Sequence, residues 1–184
     1  TTEPIYWKIL LDEIDFENVG FALNMPQDSL FVRTMLPKTT LKDGVIDLKE
    51  ASYYVKSFDM DNAELAYGPK EELSLKKIGL QLDSIYYCGR DIRANIEEFV
   101  FKERSGLELV STEGRIASDS VLIQIPKFTM KTTASSLDLQ TKIGWDVLEM
   151  KKTGVLSAKI NAEIGKGDVA KILGGRDTLF LQTY

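Results

Sequence analysis

Histidine is absent from the 184 residues, and cysteine occurs once, at Cys88. The first absence removes the commonest general acid–base side chain, the commonest zinc ligand and the usual partner of a nucleophilic Ser or Cys. The second rules out an intrachain disulfide and leaves the redox compartment open. Nothing near Cys88 in sequence resembles a catalytic base, and Tyr87-Cys88-Gly89-Arg90-Asp91 reads as a turn between two strands. A basic excess is missing too. A net charge of −5 and a pI near 4.9 offer no stripe of Lys and Arg to neutralise phosphates, which argues against a nucleic-acid surface. No apolar run approaches the ~20 residues of a membrane-spanning helix, and no signal-peptide pattern opens the sequence. The start at Thr1-Thr2-Glu3 and the apolar end, Leu179-Phe180-Leu181, read as cuts in a longer polypeptide, expected to hold a single β-rich domain over residues 1–184.

What the chain does contain is a repeated spacing, Φ-x-Φ-p-p-Φ-x-Φ, with Φ apolar and p not. It runs through Ile9-Leu11-Ile14-Phe16, Tyr53-Val55-Phe58-Met60, Leu73-Leu75-Ile78-Leu80, Ala94-Ile96-Phe99-Phe101 and Ile123-Ile125-Phe128-Met130, and overlaps itself at windows starting at Ile14, Ile46, Phe58 and Leu80. Nine windows stand where the 43% hydrophobic content gives roughly two by chance. On a helix these offsets point in two opposed directions. On strands they are a period-2 alternation with a one-residue slip. The slip pairs Asp12-Glu13, Lys56-Ser57, Lys76-Lys77, Glu97-Glu98 and Pro126-Lys127 are polar, charged or proline, as suits a bend whose residues both face water.

Turn signals punctuate the sequence at Pro26-Gln27-Asp28, Asp43-Gly44, Gly68-Pro69, Cys88-Gly89, Ser105-Gly106, Glu113-Gly114, Ser118-Asp119, Thr153-Gly154 and Gly165-Lys166-Gly167. Strand-length runs between them predict an all-β fold, with Leu156-Ala158-Ile160-Ala162-Ile164 the cleanest alternation. Only Asp168–Leu173 reads as a helix, so at most one short helix is expected near the C-terminus. Phe16-Glu17-Asn18 followed by Phe21-x-Leu23 matches Met60-Asp61-Asn62 followed by Leu65-x-Tyr67, which suggests duplicated bent strands. A repetitive β architecture, β-helix-like or a taco-like folded sheet, suits this pattern. Its curled apolar face is either an ordinary core or a lipid-sized groove, with Leu73, Leu75, Ile78, Leu80, Ile96, Phe99, Phe101, Ile123, Ile125, Phe128 and Met130 as its candidate lining.

Groupings with a chemical look fail on detail. Asp59-Met60-Asp61-Asn62-Ala63-Glu64 lacks the glycine and terminal glutamate of a calcium loop and reads as the solvent side of a strand. Gly165-Lys166-Gly167 lacks both phosphate-loop spacings. Glu97, Glu98 and Glu103 read as exposed acids rather than a glycosidase pair, and Trp7 and Trp145 as packing residues. Tyr53-Tyr54 and Tyr86-Tyr87 each put one ring on either sheet face. No catalytic residue, metal site or cofactor site is expected.

Several stretches together resemble a known family: Trp7 through Asn18, Lys42-Asp43-Gly44 through Phe58, Glu103 through Leu107, Gly114 through Ser120, and Ser135-Ser136-Leu137-Asp138-Leu139. They are similar to the repetitive region of TamB proteins of the Bacteroidetes type, within the AsmA-like group. The resemblance implies a non-enzymatic segment of a long periplasmic protein tethered to the inner membrane and built from β-sheet rolled into a taco- or clam-like trough. It implies phospholipid acyl chains or nascent outer-membrane β-strands as cargo, and an outer-membrane barrel partner reached through other regions. Two other expectations are a spacer whose apolar residues seal into a core, and a single-ligand lipid or lipoprotein carrier.

Overall fold

The computed structural model describes residues 6–25, 30–68, 73–151 and 153–172. Nine antiparallel strands form one sheet in sequence order: β1 (Lys8–Met25), β2 (Leu30–Asp47), β3 (Ser52–Tyr67), β4 (Leu73–Cys88), β5 (Asp91–Glu103), β6 (Glu108–Ser118), β7 (Leu122–Thr132), β8 (Ser136–Gly144) and β9 (Leu156–Glu163). β1 and β9 do not pair, so the sheet is open rather than a barrel. Each strand pairs only with its neighbours in sequence, because short turns join antiparallel strands without a crossover.

The turns satisfy their own amides. Asp47 Oδ1 accepts from Lys49 N at 3.0 Å and Glu50 N at 3.1 Å before β3. Asp119 Oδ1 accepts from Val121 N and Leu122 N at 2.7 and 2.9 Å before β7. Thr132 Oγ1 accepts from Ser135 N at 2.8 Å before β8.

The slips predicted from sequence are backbone kinks, and in the β3–β4, β4–β5 and β7–β8 ladders they are bulges that shift the register. Asn18, Asn62, Lys77 and Ser84 occupy the second slip position of their windows with φ of 54°, 53°, 52° and 54°. In β5, Leu82 pairs with Ile96 while Gln81 pairs with Glu98, leaving Glu97 as an extra residue. In β7 the register skips from Ile125 to Phe128 across Pro126-Lys127. A bulge adds length on the charged side only, so the sheet curls toward its apolar face.

Three local expectations change. The window starting at Ile46 spans the β2–β3 turn, so Lys49-Glu50 is a turn and not a slip. Asp43-Gly44 and Glu113-Gly114 lie inside β2 and β6. Asp43 is a kink residue at φ 51° in an unbroken register, and at Gly114 Phe128 leaves no room for a Cβ, which would meet its ring carbon at 2.7 Å. A second helix also forms: α1 (Trp145–Leu148) joins β8 to β9, and α2 (Lys166–Ile172) starts two residues earlier than expected. Leu173 and the glycines after it lie outside the described residues.

Candidate functional site

Residues directly opposite in an antiparallel ladder share a face. The register therefore traces one apolar row across all nine strands: Ile14, Leu41, Phe58, Leu82, Ile96, Gly114, Phe128, Leu139 and Ile160. At about 4.8 Å per strand this row runs roughly 38 Å. A second row joins Phe16, Thr39, Met60, Leu80 and Phe99. A third joins Leu23, Val32, Tyr67 and Leu73.

All eleven residues expected to line the face lie on it. Leu75 pairs with Leu65, Ile78 with Ala63, Leu80 with Phe99, and Phe101 with Leu109. Met130 pairs with Leu137, Ile123 with Ile143, and Ile125 with Thr141. The rings of Phe99 and Phe101 are 5.5 Å apart, and those of Tyr53 and Tyr87 are 5.9 Å apart on the same face. Tyr54 and Tyr86 pair on the other face, where the Arg93 guanidinium lies 4.5 Å from the Tyr86 ring. The slip residues also sit on that opposite face, with Lys42–Glu13 and Lys56–Asp43 as cross-strand ion pairs.

No second layer packs on the apolar face among the described residues. Among the described residues the buried hydrophobics are Ala63, Ala66, Ile78 and Leu109, and no large side chain is fully buried. Phe16 is 42% exposed, Phe21 54% and Ile160 63%. Hydroxyls interrupt the lining, and two of them are buried without a partner. Thr39 and Thr112 are buried and their Oγ1 atoms have no hydrogen-bond partner among the described residues. Sequence reading missed both, because a threonine on an apolar row breaks the Φ pattern.

Recesses of about 910, 760 and 330 Å³ open among the long side chains of the charged face. Asp59, Asp61 and Glu64 are exposed there, as the strand reading of the acidic run requires. Among the described residues no group of Cys, Asp and Glu is placed to hold a metal ion. The Cys88 thiol donates to Glu50 O at 3.5 Å.

Two brackets fix the far end of the sheet. Arg90 donates to Ser120 O at 3.3 Å, pairs with Glu149, and lies 5.4 Å from the Trp145 ring, whose Nε1 donates to Asp119 O at 2.7 Å. Asp168 is 2% exposed; it does not cap its own helix but accepts from Ser135 Oγ at 2.6 Å and from Thr132 Oγ1. Those hydroxyls, led by Ser135, hold its carboxyl below the usual range against the opposing effect of burial, with Lys171 adding to the same direction. Gly165 permits this docking: a Cβ there would stand 2.2 Å from Ala134 O. No protein-family model matches the chain, and no curated protein or solved structure is significantly similar to it.

Proposed function

We propose that this chain is a non-enzymatic segment of an envelope-biogenesis protein of the TamB, AsmA-like type, working in the periplasm and tethered to the inner membrane through other parts of the polypeptide. Its apolar face would shield phospholipid acyl chains, or nascent outer-membrane β-strands, as they cross between the two membranes. An outer-membrane barrel partner is part of the same proposal. The observation that carries it is the apolar row from Ile14 to Ile160, on which no described residue packs as a second layer. Burying a CH₂ is worth ~0.8 kcal/mol, so a dozen methylenes gives roughly 10 kcal/mol gross, ample to hold an acyl chain. Leu, Ile, Val and Phe without fixed polar anchors favour sliding over capture at one point.

The spacer reading needs these side chains sealed into a core, which the sparse burial disfavours. A single-ligand carrier needs a closed cavity, and an open sheet does not supply one. Native mass spectrometry of the purified chain, with organic extraction of whatever is bound, is the test. Near-stoichiometric phospholipid of mixed headgroup is the expected result. A clean apo mass that persists after incubation with lipid vesicles would remove acyl-chain transport from the proposal.

A further inference from the structure

β9 ends the sheet on one side, and among the described residues no strand pairs with its outer edge. All eight of its residues are exposed. Gly144 N donates to Val155 O at 2.7 Å, so the hydrogen-bonded pairs of the β8–β9 ladder fall at the odd-numbered residues of β9. The N–H and C=O groups of Leu156, Ala158, Ile160 and Ala162 therefore point away from β8, into the open edge.

Such an edge is a template for another strand unless something blunts it. β9 contains no proline, no glycine and no residue at positive φ. No charge stands on its apolar side, where Leu156, Ala158, Ile160 and Ala162 alternate with polar residues. α2 does not shield it. Asp168 is bound to Ser135, and Lys171 Nζ donates to Thr133 Oγ1 at 3.2 Å, so the helix is drawn back over the β7–β8 turn. β1, the edge at the other end, is a poorer template. Asn18 interrupts it at φ 54°, and from Asp12 to Glu17 every charge is negative.

The polar side of β9 carries its two charges, Lys159 and Glu163, four residues apart. Across β8 they face Gln140 and Ser136, and neither makes an ion pair with a described residue. An antiparallel strand of the same sequence answers both charges at once. With Asn161 on a two-fold axis normal to the sheet, Lys159 stands opposite Glu163 of the second copy, and Glu163 opposite its Lys159. Ile160 then stands opposite Ala162. These two hold the free N–H and C=O groups, so each such pair exchanges both bonds. Lys159 and Glu163 fall at the non-hydrogen-bonded positions, where opposed side chains are closest. An axis at Lys159 would oppose like charges, and one at Ile160 would leave both charges unanswered.

We propose that β9 pairs with β9 of a second copy in this register, giving a two-fold dimer whose two sheets form one. Directly opposite residues share a face, so the apolar rows of the two copies also join on one side. The proposal rests on the edge alone and does not depend on the transport reading.

Sedimentation velocity over about a hundredfold range of concentration, with amide exchange by NMR beside it, tests this. A reversible monomer–dimer equilibrium is expected, with the amides of Ile160 and Ala162 slowing in exchange as dimer forms. Lys159→Glu should weaken the dimer about tenfold, since it turns both cross-strand pairs into like charges. Glu163→Lys should do the same. The two changes together should restore wild-type affinity, because the charges merely trade places. Lys127→Glu makes the same change of net charge on β7 and should leave the dimer as it is. All three positions are exposed, so each variant should keep the wild-type Tm. A monomer at every concentration overturns the proposal; if its Ile160 and Ala162 amides are protected all the same, the edge belongs to the chain's own residues after Ile172. Growth past the dimer overturns it too and gives the edge to β1 of the next copy. A double variant no tighter than the single ones, or equal weakening by Lys127→Glu, overturns the register. A chain that copurifies with no lipid can still dimerise, so this proposal and the transport proposal fail separately.

Discussion

At the scale of single residues, the fold turns on positions where the backbone leaves the extended region or where a side chain has no space. Asn18 and Asn62, matched in the short internal repeat, both adopt positive φ at the same point of their slips. Asn62→Val puts a β-branched residue there and should cost about 1–2 kcal/mol, read as a lower urea midpoint, while Asn62→Gly should be close to neutral. Gly114→Ala should cost about 1–3 kcal/mol in the same assay, because Phe128 lies across its α-carbon and Lys127 O stands 3.4 Å from the added methyl. These residues also explain what the sequence shows and hides. The kinks and bulges of β1, β3, β4, β5 and β7 are legible because apolar residues flank the slip on both sides. The kink in β2 is hidden: Thr39 and Gly44 occupy apolar-face positions either side of Lys42-Asp43 without counting as apolar. In β6, Thr112 and Gly114 mask the same alternation.

At the scale of elements, the sheet's C-terminal half is fixed by side chains reaching across turns, and these contacts leave little trace in local sequence. α1 has four residues, too few to show a helical period, and is held by Arg90 from the β4–β5 turn. Arg90 and its partner Glu149, at the helix's C-terminal end, are fifty-nine residues apart in sequence, so no local rule finds the pair. α2 was visible as an Asp-led apolar run, but the Asp reads as a cap when it is a latch to the β7–β8 turn. The latch should respond to pH. Asp168 has a carboxyl held below its ordinary range in the fold. Its stabilising contribution is therefore present above the unfolded carboxylate pKa of about 3.9 and is lost as pH falls through the lower folded value. In thermal melts from pH 6 to pH 2, about the range where carboxylates titrate, wild type should lose stability that Asp168→Asn does not lose. The two curves should converge at the acid end. Parallel curves would mean that the carboxylate is not ionised at the latch.

At the scale of the whole molecule, the sheet behaves as a surface with two chemically opposed sides. The alternation in the sequence is sufficient to separate those sides, and the register brings all eleven expected lining positions onto one of them. Alternation alone is silent on whether that side is covered, because a lining and a core share the same period; the described side chains on it are half-buried to exposed. Phe99→Asp or Ile125→Asp should lower phospholipid occupancy, measured by extraction and mass spectrometry, more than Glu97→Gln does. Equal occupancy in all three would separate the apolar face from lipid binding. The sequential strand order has a mechanical consequence. Pulled from its two ends, a sheet in which every strand is bonded only to its neighbours is loaded one ladder at a time rather than all at once. The strands shorten from 18 residues at β1 and β2 to 8 at β9, so the shortest ladder, β8–β9, should part first. In an optical trap the chain should extend as a staircase at low force, with longer steps as opening reaches β2 and β1. A single abrupt rip would mean that the sheet resists as one body. Tension along the polypeptide would thus be released hairpin by hairpin, leaving the long N-terminal strands paired until last.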